Sequence, residues 1–162
     1  MAQIRRAQVE DWTILCPLIA AYWQFESIPG FDPARIGPQL ERLLSTPNLG
    51  AGWIAFDDEQ AVGYLLAVYV FSLEHAGLTA EIDEFFVLPN HGAVGIGSEL
   101  IREAEAEFFR VGCPNVSLQL SRDNASARRF YLKFGYRERS GFELLDKMLR
   151  DDQESRSFRR FS

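Results

Sequence analysis

Cysteine, histidine and methionine are scarce: two of each in 162 residues. Cys16 and Cys113 are far apart, outside any C-x-x-C spacing, so no disulfide framework is expected and a reduced, cytoplasmic protein is. Two His and two Cys do not suggest a dedicated zinc site, and no metal is expected. No apolar run approaches the roughly 18 residues of a membrane span; the longest, Ala61 to Leu73, reads as a buried strand, and no membrane role is expected. The opening residues, MAQIRRAQVEDW, lack the apolar stretch of a secretory leader. Basic charge is also short. The formal net charge is −6, and the segment 150–162 is itself +1, which leaves about −7 on the rest. A nucleic-acid partner is therefore not expected, despite the Arg-aromatic run Arg156 to Phe161 that would suit stacking on single strands.

Apolar and aromatic residues are abundant, at 47% and 13%. That suffices for one cored domain, read here as 1–149, with 150–162 expected to be a disordered tail. Periodicity predicts the order β-α-α-β-β-β-α-β-α-β-β, one α/β domain with a mixed sheet. Asp11 is expected to cap a first helix through Ile14, Leu15, Leu18, Ile19 and Tyr22. Asp32-Pro33 and Gly37-Pro38 each read as helix starts. Trp53–Phe56 and Ala61–Phe71 read as strands, as does Ala80–Val87, whose alternation puts Ile82, Glu84 and Phe86 on one face. Ile96, Leu100, Ile101, Ala104 and Phe108 should form the buried stripe of a helix ended by Gly112 and Pro114. Val116–Leu120, Tyr136–Arg139 and Phe142–Met148 read as further strands.

Chemistry concentrates where the third long strand runs into a glycine turn. Gly95 and Gly97 open a helix, and successive free N–H groups at a helix start suit a pyrophosphate. Two phosphate motifs fail: a dinucleotide fingerprint needs Gly where Leu100 stands, and a Walker loop needs Gly-Lys-Ser/Thr where Gly97-Ser98-Glu99 stands. About thirty residues later comes Asn124-Ala-Ser-Ala127 followed by Phe130-Tyr131 and Gly135-Tyr136.

Together these two segments resemble the GNAT superfamily of acetyl-CoA-dependent N-acetyltransferases. Val87-Leu-Pro89 with Gly95-Ile96-Gly97 resembles the cofactor motif, and Asn124 to Tyr136 the second motif. Ile4 to Trp12 resembles a family start, and the likeness runs collinearly from Ile4 to Leu149. It implies an α/β (α+β) fold with a mixed, mostly antiparallel central sheet flanked by helices, acetyl-CoA as cofactor, coenzyme A as product and a small-molecule amine as acceptor. The cofactor-side residues it implies are Phe86, Val87, Gly92, Ala93, Val94, Gly95, Ile96, Gly97, Ser98, Asn124, Ala127 and Tyr131. Gly92 stands where the family usually has Arg or Gln, a loss of about 1–3 kcal/mol if a charge-assisted bond goes with it. His91 beside it reads as an exposed turn histidine.

An alkylammonium of pKa about 10.4 is only about 0.04% neutral at pH 7, so freeing the nucleophile costs roughly 4.6 kcal/mol. A carboxylate can take that proton, and a phenol can protonate the leaving thiolate. Tyr131 matches the family's acid position; the competing reading is a core aromatic. Glu84 is the candidate base, with an ammonium anchor or a structural carboxylate as alternatives. Glu81 and Asp83 are expected to point the other way. The resemblance places the acceptor near Tyr22, Phe25, Glu26, Phe31 and Glu84, with Glu74 and His75 also offered. Asp83 to Val87 with Gly95 to Glu99 resembles diamine acetyltransferases, which leaves polyamine, aminoglycoside, amino-acid and protein amines open. A GNAT-shaped acyl-CoA-binding module with little turnover is the rival reading, and a homodimer is compatible with the sequence.

Overall fold

The computed structural model describes residues 2–149, apart from the side chains of Ala93 and Val94, so the expected tail 150–162 lies outside it. The chain falls into two units, Met1–Leu118 and Gln119–Ser162.

The first unit holds β1 (Gln3–Arg6), α1 (Trp12–Phe25), α2 (Pro33–Ser45), β2 (Gly50–Asp57), β3 (Gln60–Ser72), β4 (Gly77–Val87), α3 (Ile96–Arg110) and β5 (Val116–Leu118). The sheet order is β1-β2-β3-β4-β5. All neighbours pair antiparallel except β4 and β5, which run parallel. This is the mixed, mostly antiparallel sheet that the family resemblance implies.

The expected stripe of α3 is buried in full: Ile96, Leu100, Ile101, Ala104 and Phe108. It packs on the sheet face that carries Trp53 and Tyr69, whose rings meet Phe108 edge-on at 5.6 and 6.3 Å. Fully burying an aliphatic side chain of this size contributes about 1.5–3 kcal/mol, so this stripe anchors the unit. The other face carries Ile54, Tyr64, Leu66 and Phe86 against Leu15, Leu18, Ile19 and Leu40 of α1 and α2.

Several local expectations change. Asp32 does cap α2, accepting from the Ala34 amide at 3.0 Å, but Gly37-Pro38 lies inside that helix and starts nothing. Pro38 removes one ladder bond there, as Pro17 does in α1, and the helices continue through both. Asp11 stands at the α1 start without a side-chain cap. Its carboxylate is held by both guanidinium nitrogens of Arg5, at 2.7 and 2.8 Å, and by the Gln8 amide at 2.6 Å. The Arg5 bond holds its carboxyl below the usual range.

The most consequential difference is in β4. Glu84 pairs with Leu66, but Ile82 pairs with Ala67, so Asp83 is an extra residue without an opposite number. Such a bulge shifts the side-chain alternation by one. Ile82 therefore lies on the α3 face with Ala80, while Glu84 and Phe86 lie on the α1 face. The expected grouping of Ile82 with Glu84 and Phe86 does not form. β5 pairs with β4 only over Ala80, Glu81 and Ile82, ending where the bulge begins.

In the second unit, Asn124 caps α4 (Ala125–Lys133), its side chain accepting from the Ala127 amide at 3.0 Å. The expected strands Tyr136–Arg139 and Phe142–Met148 are absent among the described residues, and Val116–Leu120 shortens to Val116–Leu118. Phe142, Leu144, Leu145 and Leu149 are exposed. Period-two apolarity makes a strand only when a partner ladder satisfies the backbone, and a lone two-stranded hairpin is marginal in water.

Candidate active site

Glu84 sits at the centre of a half-buried cluster in the first unit. Trp23 Nε1 donates to its Oε2 at 2.7 Å, and the Tyr64 hydroxyl donates to its Oε1 at 2.9 Å. Burial pushes its carboxyl up to about 7 from 4.5; the two donors oppose that rise, and the Asp83 charge adds to it. A carboxyl so placed shares its two protonation states near neutral pH and is a stronger base than an exposed glutamate.

Aromatic rings cluster on the sheet face that carries this carboxylate. Tyr22 and Phe25 of α1 stand 5.9 and 5.7 Å from the Phe86 ring, and Tyr22 meets Tyr64 edge-on at 6.4 Å. Burial, with the charges of Glu84, Glu26 and Asp83, pushes the Tyr22 phenol up to about 12. Phe31, in the loop after α1, packs edge-on against Trp23 at 5.6 Å. The structure thus brings Tyr22, Phe25, Glu26, Phe31 and Glu84 into one neighbourhood. Asp83, exposed in the bulge beside Glu84, adds its charge to Glu84, Tyr22 and Tyr64. Glu74 and His75 are not part of it: they lie in the β3–β4 turn, six strand residues beyond Leu66, or about 20 Å along the hairpin.

Trp23 and Tyr64 were not legible as site residues. Only their hydrogen bonds to Glu84 single them out from core aromatics, with the register placing Tyr64 opposite Phe86 on the Glu84 face.

Beyond Ile82, β4 has no ladder partner in β5. The Leu88 amide bonds the Val62 carbonyl at 2.8 Å, so the alternation of antiparallel pairs makes Gly63–Val87 a non-bonded pair. The N–H and C=O of Val87 therefore face the open edge. The Phe86 side chain belongs to the core and its main chain is turned to Tyr64 of β3, so neither faces that edge.

After Leu88 comes a 3₁₀ turn, Pro89–Val94, and then Gly95 in the left-handed region at φ 82°. Only a residue free of Cβ strain adopts this conformation readily. The first helical bond of α3 runs from the Glu99 amide to the Gly95 carbonyl at 3.1 Å. The amides of Ile96, Gly97 and Ser98 precede it, so they form the free N–H set at a helix start. Nothing lies within 4 Å of a Cβ built on Gly92 or Gly95. The Val87 main chain at that edge, followed by the amides at the α3 start, fits a molecule with an amide-bearing arm and a diphosphate. His91 is less exposed than expected, and its Nδ1 meets Asp57 Oδ2 at 3.2 Å.

In the second unit Tyr131 is buried, its ring edge-on to Phe130 at 5.4 Å and to Tyr136 at 5.3 Å. The Asn124 carboxamide oxygen is engaged in the α4 cap, and Ala127 supplies the amide it holds.

Residues 8–136 match the acetyltransferase (GNAT) family. The aminoalkylphosphonate N-acetyltransferase of Salmonella typhimurium is 27% identical over 143 residues, 85% of this chain and 86% of that protein. Among solved structures, an integron cassette protein from a Cole Harbour salt-marsh metagenome superposes with TM-score 0.81 at 25% identity, covering 93% of this chain and 92% of that one. An aminoglycoside acetyltransferase from an uncultured soil metagenomic sample, solved with sisomicin, shares the fold with TM-score 0.77 at 20% identity, covering 92% and 97%. The chain belongs to the GNAT acetyltransferase family and is an acetyl-CoA-dependent N-acetyltransferase.

Proposed function

We propose that the protein acetylates a primary amine of a small cationic molecule by direct attack, with Glu84 as general base and Tyr131 as general acid. The single observation that carries this reading is the half-buried Glu84 carboxyl, lifted to about 7 and bonded by Trp23 and Tyr64. Acetyl-CoA supplies the acyl thioester. Glu84, directly or through a water, takes the ammonium proton; its raised pKa narrows the gap to an amine near 10.4. Tyr131 gives its phenolic proton to the departing sulfur, the role its motif position supports. The Val87 N–H, turned to the open edge, is the donor for a developing oxyanion. Residues 1–149 are read as one acetyltransferase domain, since the family match runs through both units. The two free thiols support a reduced, cytoplasmic setting.

Asp83, Glu26 and Glu84 make the acceptor region acidic, and the rings beside them suit a cation with an apolar stem. This favours a polyamine or an aminoglycoside over an aminoalkylphosphonate, whose anion those carboxylates repel. The test is an acceptor screen that reads coenzyme A release with spermidine, an aminoglycoside, an aminoalkylphosphonate and a peptide N-terminus. Turnover greatest with the polycations is expected. Preference for the phosphonate or the peptide overturns the acceptor class, and binding without thiol release from any amine identifies a binding module.

Gly92 offers a second measurement. Its added Cβ meets nothing, so Gly92→Arg is accommodated without strain. Acetyl-CoA binding by calorimetry should tighten by about 5- to 100-fold, as one charge-assisted phosphate bond is added. An unchanged Kd means that the main-chain amides already suffice.

A further inference from the structure

Glu84 accepts one hydrogen bond on each oxygen, from two different elements. Trp23 Nε1 of α1 reaches Oε2 at 2.7 Å, and the Tyr64 hydroxyl of β3 reaches Oε1 at 2.9 Å. Tyr64 is fully buried, so its hydroxyl has no solvent alternative. The indole N–H of Trp23 can only donate, and Phe31 packed edge-on at 5.6 Å holds the ring in place. A glutamate bonded through one oxygen can swing about its side-chain torsions; one bonded through both oxygens from two sides has a single orientation. Each oxygen keeps a further lone pair.

We propose that Trp23 and Tyr64 are positioning residues that clamp Glu84 from two elements and fix the direction in which its remaining lone pairs accept the amine's proton. This rests on the reading of Glu84 as base. The clamp has an electrostatic consequence. Asp83 on β4, Tyr64 on β3, Tyr22 on α1 and Glu26 just after that helix are the titratable groups around Glu84. Burial and Asp83 favour the protonated carboxyl, and the two clamp donors favour the carboxylate. Removing either donor shifts the balance towards the protonated form.

The experiment compares Tyr64→Phe and Trp23→Phe with the parent protein, in kcat/KM against pH and in the carbon-13 titration of the Glu84 carboxyl without substrate. Tyr64→Phe keeps the ring volume in the core, and Trp23→Phe alters a half-buried helix position, so each checks the other. In both, the acidic limb of the rate profile should move up by about one pH unit, and the Glu84 resonance should titrate with it. The plateau kcat should fall about 3- to 10-fold through looser aim, with the acetyl-CoA Kd unchanged. A limb and a resonance that both stay where the parent has them overturn the clamp. A resonance that moves while the rate limb stays supports the clamp on Glu84 and overturns Glu84 as base.

Discussion

Glu84→Gln should lower kcat/KM by about 10²- to 10⁴-fold and abolish the rise in rate through pH 7. The carboxyl titrates near 7 in the folded protein, and only its deprotonated form can accept the ammonium proton. Activity of the parent protein therefore falls as pH drops below about 7. The glutamine has the same shape but no titration, so its residual rate should lack that limb. Were Glu84 only an anchor for the ammonium, the substitution would raise KM for the amine and spare kcat; separate kcat and KM profiles over pH 5.5 to 9 with saturating acetyl-CoA distinguish the two. The same group makes folding pH-dependent. Its native pKa exceeds the unfolded value of 4.5, so the native state binds the proton more tightly. This contribution to stability is fully present below pH 4.5 and is lost as pH rises towards 7.

For Tyr131→Phe the expected result is a fall in kcat of about 10²-fold or more with acetyl-CoA affinity kept within about twofold. The phenol gives its proton as the sulfur departs, so its loss falls on the chemical step and spares binding. Phenylalanine preserves the ring contacts with Phe130 and Tyr136, so the variant should remain folded. Steady-state kinetics beside calorimetric titration of acetyl-CoA give both quantities. An unchanged kcat would leave Tyr131 as a packing aromatic.

What the sequence disclosed depended on how local each signal was. The α3 stripe was legible to the residue, because a 3.6-residue period over four turns admits one register. The glycine turn was legible because a left-handed backbone position selects its residue type. Alternation failed in β4, since it assumes that no residue is extra, and Asp83 is. Gly37-Pro38 misled because proline at a helix start and proline in a second turn look alike without the upstream cap at Asp32. Glu74 and His75 shared the chemistry of the acceptor side but not its place, and only strand pairing separates them from Glu84. Trp23 and Tyr64 stayed hidden among core aromatics because their polar atoms matter only once three elements meet. Phe142 to Met148 carried strand-like patterning without a partner to realise it.

The extra residue at Asp83 splices two half-strands of opposite parity. Upstream, Ala80 and Ile82 answer to the packing demands of α3 and to pairing with β5. Downstream, Glu84 and Phe86 answer to the rings of α1. Mutations that retune the acceptor can accumulate in the second half while the first continues to select for dense apolar filling. One strand thus lets scaffold and specificity drift at separate rates.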